Sequence, residues 1–310
     1  MRISTSALYD QGSSKISDLQ SALNNTQMQI SAGKSILTPA DNPIAAAQVL
    51  DVTQSQSVNA QFAVNRQSAT NSLTMVDGVL STATDLLQSL KTLTVSAGVP
   101  GLSSAARGAI AVQFRAGFDN LMSLANSTDG TGKYLFGGYH TATPPFVKTS
   151  TVVGGVTVTG AQYVGDQGQT QLQVDSSRQI AISESGPGIF QTGTQDIFKT
   201  LDNFATILEN PASTDANILS GLQTANTNIG ASLDNVLTAR ASTGSKLNEL
   251  DALNSYGSDR DIQYSQTLSK LQDLDYAKAI TKFSQQQTTL QAAQQSFVKM
   301  SGLSLFNYIN

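Results

Sequence analysis

SQTLSKLQDLDYAKAITKFSQQQTTLQAAQQSFVKM, residues 265–300, places Tyr276, Phe283, Leu290 and Phe297 seven residues apart, and no Gly or Pro interrupts the run before Gly302. That period keeps one apolar stripe on one side of a helix. The stripe is thin, because Gln285, Gln286, Gln287, Gln294 and Gln295 flank it. A helix this polar gains little stability alone, since most helical stability in proteins comes from packing a face. What the stripe packs against therefore decides the fold.

The opposite end of the chain offers a partner. Tyr9, Ile16, Leu23, Ile30 and Leu37 also recur every seven residues, with Leu19 between. Two thin seams at opposite termini predict helices that meet each other or meet copies of themselves. Ordinary core-facing helices of one globule fit the same periodicity, because seven-residue matches this short are ambiguous.

Working inward, residues 5–31 read as a helix that Gly33 stops. Leu37-Thr38-Pro39-Ala40-Asp41-Asn42-Pro43 makes a tight reversal, with Asn42 able to cap the next helix and Pro43 suited to its first position. That helix is predicted over residues 43–96, about 80 Å at 1.5 Å per residue, too long for a small globule. Its second half carries Phe62, Arg66, Ala69, Leu73, Val76, Leu80, Ala83, Leu87 and Leu90 at 3–4 spacing. Gly98-Val99-Pro100-Gly101 breaks it, and Ser103 or Ser104 can cap a third helix bearing Ile110, Phe114, Phe118, Leu121 and Leu124.

The texture changes near Asp129, where glycines crowd and Pro144-Pro145 follows. Short β-branched runs at 151–159, 171–174 and 179–183 predict a small β region, with Gly154-Gly155 as a hairpin turn and Gly186-Pro187-Gly188 closing it. Helix resumes at Thr194 and stops at Asn210-Pro211. A long helix then starts near Ser213 with the seam Leu219, Leu222, Asn226, Ile229, Leu233, Val236, Arg240, Thr243, Leu247 and Leu250. Asn226 and Arg240 within a seam lower stability but can specify register. Arg240 either snorkels or bonds across the bundle. Gly257 is expected to make a joint before the terminal helix. The predicted fold is mainly α with a small β insert, an elongated bundle of long helices whose N- and C-terminal segments come together. The expected organisation is an N-terminal assembly helix over 1–42, a central helical rod over 43–133 and 191–256, a β-rich outer domain over 134–190, and a C-terminal assembly helix over 257–310.

Composition excludes several functions. Of 310 residues, 13% are charged, and the net charge of -4 lacks the basic stripe a nucleic-acid grip needs. Cysteine is absent, which removes disulfides, thiolate metal sites and cysteine nucleophiles together. His140 is the only histidine and sits in a Gly- and Thr-rich loop. No catalytic triad, phosphate loop, cofactor site or metal set is expected around it. No stretch has the length of a membrane span, and the start lacks the apolar core of a secretory signal. The expectation is a protein that is cytosolic or exported without a cleaved signal.

Two segments carry a resemblance. Ile30-Ser31-Ala32-Gly33-Lys34 with Thr38-Pro39-Ala40-Asp41-Asn42-Pro43-Ile44-Ala45-Ala46-Ala47 resembles the N-terminal signature of flagellins and their relatives, although Asn42 stands where the family usually has a second acid. Leu271-Gln272-Asp273-Leu274-Asp275-Tyr276-Ala277 resembles the C-terminal signature. Within that superfamily, Gly132-Lys133-Tyr134-Leu135-Phe136-Gly137-Gly138, Tyr163-Val164-Gly165-Asp166 and the ending Leu303-Ser304-Leu305-Phe306-Asn307-Tyr308 are similar to the hook-associated protein 3 family of hook–filament junction proteins.

The resemblance implies a secreted, non-enzymatic adaptor of the bacterial flagellum. It implies a ring of subunits between hook-associated protein 1 and flagellin, type III flagellar export, and an export chaperone that holds the C-terminal segment. It also implies terminal helices that order only on assembly. The residues expected to pack between subunits are Ile16, Leu23, Ile30, Leu37, Asp41, Tyr276, Phe283, Leu290 and Phe297. Those expected in the rod core are Leu73, Val76, Leu80, Leu87, Leu90, Leu222, Ile229, Leu233, Val236, Leu247 and Leu250. A flagellin filament subunit is the alternative, and an exported protein with an enzymatic insert is a third.

Overall fold

In chain order the elements are α1 (Arg2–Ala32), α2 (Pro43–Ala97), α3 (Ser104–Ala125), β1 (Phe146–Val153), β2 (Val156–Tyr163), β3 (Gln171–Asp175), β4 (Arg178–Ala181), α4 (Gly186–Phe190), β5 (Gln191–Thr192), β6 (Gln195–Asp196), α5 (Ile197–Glu209), α6 (Asp215–Gln272) and α7 (Tyr276–Ile309). The computed structural model describes residues 2–153, 156–192 and 195–309. The hairpin turn expected at Gly154-Gly155 and the helix start expected at Thr194 lie outside the described residues. The chain is mainly helical with a small β region, and it divides into two units, Met1–Asn59 with Asp259–Asn310, and Ala60–Ser258.

The second unit holds the cores. From α2, Val76, Leu80, Leu87 and Leu90 are buried against Phe114, Phe118 and Leu121 of α3, Phe198, Leu201 and Phe204 of α5, and Ile229 and Val236 of α6. Leu222 and Leu233 pack on this cluster partly buried. Phe136, Phe146 and Phe190 from the Gly-rich region join it, and Phe146 lies edge-on to Phe190 with centroids 5.7 Å apart. Edge-to-face rings add attraction beyond the area they bury. A smaller cluster sets Ala69, Leu73 and Leu250 around Val174 and Ile180 of the β3–β4 hairpin, with Leu247 beside them.

Caps explain where helices begin. Ser103 accepts from the Ala106 amide at the start of α3, and Asp196 accepts from the Phe198 and Lys199 amides at the start of α5. Each satisfies a donor that the first helical turn leaves open. The strands form three separate antiparallel pairs, β1–β2, β3–β4 and β5–β6. The first runs in register from Phe146↔Tyr163 to Val153↔Val156, longer than the sequence reading. Asp202 of α5 holds it, accepting from the Thr159 amide at 2.6 Å and from Arg115 Nη1 at 2.6 Å.

Two expectations need correction. Gly257 is no joint, because α6 continues through it to Gln272. A Cβ at Gly257 would meet Arg66 Nη2, so the glycine admits the buried guanidinium, whose Nε donates to Asn254 and Nη1 to the Val174 carbonyl. The α6 seam is also shifted. Leu219 and Asn226 are exposed, while Ile218 and Ala225 are buried in their place. A stripe of constant spacing drifts around a 3.6-residue helix, which moves the buried positions by one residue at this end of α6. Arg240 donates across the bundle to Asp77 at 3.2 Å.

The two Gly-containing motifs of the middle region meet. The Asp166 carboxylate accepts from the Tyr139 and Gly168 amides at 2.8 and 2.7 Å, and the Tyr163 hydroxyl donates to the Phe136 carbonyl. The Tyr139 amide, then the Gly168 amide, hold the Asp166 carboxyl below the usual carboxylate range. A depressed folded pKa contributes stability above the unfolded value, and that contribution disappears as pH falls through the folded value. Amide protection at Tyr139 and Gly168 should therefore be constant near neutrality and collapse below about pH 4. Asp166→Asn should show weaker protection with no such step, measured by hydrogen exchange against pH.

Candidate assembly site

The first unit is built by the two termini. Helices α1 and α7 run antiparallel, since the Tyr9 ring meets that of Phe297 at a 45° tilt with centroids 4.8 Å apart while Gly33 meets the Tyr276 hydroxyl. Gly33 has φ +68°, and a Cβ there would lie 2.9 Å from Tyr276 Oη. The left-handed backbone demands glycine there.

Between the helices, two short linkers pair. The Ser35 amide donates to the Gln272 carbonyl at 2.7 Å, and the Leu274 amide donates to the Gly33 carbonyl at 3.1 Å. Ser35 Oγ reaches the same Gln272 carbonyl, and Gln29 Nε2 donates to the Ser35 carbonyl at 2.8 Å. Residues 265–300 are therefore two helices, not one. The chain leaves α6 at Asp273 and restarts at Tyr276, where Asp275 Oδ1 accepts from the Lys278 amide. Asp273 and Asp275 do not sit on one helix; the first accepts from Ser269 Oγ and the second is a cap. No Pro or Gly marked this break, and the Asp–Leu–Asp pattern was its only local signal.

The reversal at 37–43 is shaped by its carboxylate. Asp41 Oδ2 accepts from the Leu37 amide at 3.0 Å, the Thr38 amide at 2.8 Å and Thr38 Oγ1 at 3.2 Å. Bonds from Thr38 and then Leu37 keep its carboxyl below the ordinary range. Asn42 Oδ1 accepts from the Ala45 amide, so α2 opens with an Asn cap and Pro43 in first position.

Burial separates this unit from the other. Among the described side chains of α1 and α7, only Thr26 and Ala279 are buried. Ile16, Leu23, Ile30, Leu37, Phe283, Leu290 and Phe297 are half-buried, and Tyr276 and Asp41 are exposed. The sequence reading missed Gln286, whose buried Oε1 finds no partner among the described residues. Buried oxygens are nearly always bonded, so Gln286 is an exception where the stripe turns polar. Ile44 and Leu50 at the start of α2 also face outward. No described helix is long and apolar enough to cross a membrane.

Long terminal helices paired across a signature turn define a flagellin-like protein, and residues 3–141 match the bacterial flagellin N-terminal helical region. Two curated relatives go further. The flagellar hook-associated protein 3 of Escherichia coli strain K12 and that of Salmonella typhimurium strain LT2 are each 35% identical over 323 residues, covering 99% of both chains. The chain belongs to the flagellar hook-associated protein 3 family. The flagellar junction protein FlgL from Legionella pneumophila shares the fold, with TM-score 0.60 at 18% identity over 73% of this chain and 100% of that one. The protein is thus a hook-associated component of the flagellum.

Proposed function

We propose that this protein is a non-catalytic adaptor that joins the hook, through hook-associated protein 1, to the flagellin filament. The observation that carries the reading is the thinness of the α1–α7 seam. Two helices of 31 and 34 residues bury between them only two described side chains, both small. Ordering a residue's backbone costs about 1–2 kcal/mol, and so little burial offsets only a small part of it. Neighbouring copies supply the rest, so assembly completes the folding of the tails. Residues 1–42 and 257–310 act as assembly helices. Ile16, Leu23, Ile30, Leu37, Phe283, Leu290 and Phe297 pack between copies, Asp41 shapes the turn, and Tyr276 locks it. An export chaperone of the cytosol covers the C-terminal stripe before assembly.

The deciding experiment is immunogold labelling of intact flagella, with deletion of the gene alongside. One labelled band where hook meets filament, and a deletion strain with bare hooks and flagellin shed into the medium, are the expected results. Label along the whole shaft would make the protein a filament subunit instead.

A further inference from the structure

Where α2 ends and α3 and α6 begin, the second unit carries a cup of about 270 Å³. Val99, Leu102, Arg107, Leu219 and Leu222 line it. Val99 and Leu219 are 56% and 57% exposed, unusual for large apolar side chains so close together. Arg107 Nε is buried and has no hydrogen-bond partner among the described residues. Asp215 also lines the cup, but it stands in the first turn of α6, where it offsets that helix's own dipole. The cup thus sets apolar side chains around a guanidinium whose Nε has no partner among the described residues, and a carboxylate beside an apolar side chain would fill it.

The first unit presents that chemistry. Ile44 and Leu50 are 75% and 70% exposed, the highest values among the described large apolar side chains. Asp51 is exposed beside Leu50, and no ion pair holds it among the described residues. Helical spacing places Ile44, Ala47, Leu50 and Asp51 within about a third of the circumference of α2, and all four are exposed.

We infer that these two faces meet between molecules: Leu50 and Asp51 of one copy dock in the Arg107 cup of a second copy. Neither face is its own complement, so the contact is head-to-tail, and such contacts generate rings or helical arrays, not closed pairs. The inference rests on the assembly reading above and names the surfaces it uses. Apolar contact supplies the attraction, and the Arg107–Asp51 pair sets the register.

The chain has no cysteine, so introduced thiols report alone. Two differently tagged copies are expressed together, one carrying Leu219→Cys and the other Leu50→Cys, and isolated flagella are treated with a mild oxidant. A disulfide-linked dimer bearing both tags is the expected product. Adding Arg107→Glu to the first copy should reduce that product roughly tenfold per incorporated chain, and Asp51→Arg in the second should restore it. Normal incorporation of both copies without the linked product overturns this inference alone. A linked product that is indifferent to the charge reversal also overturns it. If the tagged parent protein never enters flagella, the assembly reading falls, and this inference falls with it.

Discussion

Leu290→Asp should leave the second unit as stable as before and exclude the protein from flagella. Leu290 is half-buried on the α7 stripe, far along the sequence from the buried clusters of residues 60–258. A carboxylate on that stripe meets apolar neighbours with no partner for its charge, costing about 3 kcal/mol per copy, or roughly a hundredfold in incorporation. Thermal melting of the purified variant should match the parent. Immunoblots of isolated flagella should show almost none of it, and motility should be lost. Normal filaments from this variant would mean that the stripe is not an assembly surface.

The second large effect lies in the other unit. Phe198→Ala should lower stability by about 3–5 kcal/mol, a drop of roughly 10 °C in melting temperature. Phe198 is fully buried, and its ring contacts Phe118, Phe146 and Phe190 at centroid distances of 5.7, 5.5 and 6.2 Å. Three neighbours from α3, β1 and α4 cannot all collapse into the space left behind. Calorimetry of the full-length variant checks this; an unchanged melt would show that the aromatic cluster is dispensable. The pair of variants separates the two units by consequence. One change should abolish incorporation without altering the melt, and the other should alter the melt first.

Much of this fold was legible because its rules are local. Asn42 and Pro43 announced the start of α2, Ser103 that of α3, and Gly98 to Gly101 the break between them, since caps and breakers act over a few residues. The stripe of α2 was readable because its buried positions keep 3–4 spacing from Arg66 to Leu90. What escaped depended on distant partners. The gap between α6 and α7 is held by backbone bonds to residues 33–35, and backbone bonding leaves no mark on side-chain choice. Gly257 looked like a breaker, yet it makes room for Arg66, which only the packed helices reveal. The short β5–β6 pair and α4 are too brief to carry a period. Of the candidate site, the apolar stripe was visible, while Gln286 read as one more solvated glutamine.

The linker bonds also set a timetable. Ser35 waits for Gln272, 237 residues later in the chain. At a synthesis rate of about 5–20 residues per second, the leading segment remains without its mate for roughly 10–50 s. During that interval nothing made earlier can shelter its greasy side, and closing so distant a contact is slow even afterwards. The beginning of this polypeptide can take its final form only after nearly all the rest has been made, which leaves a long window in which a thread, not a folded object, can be passed onward.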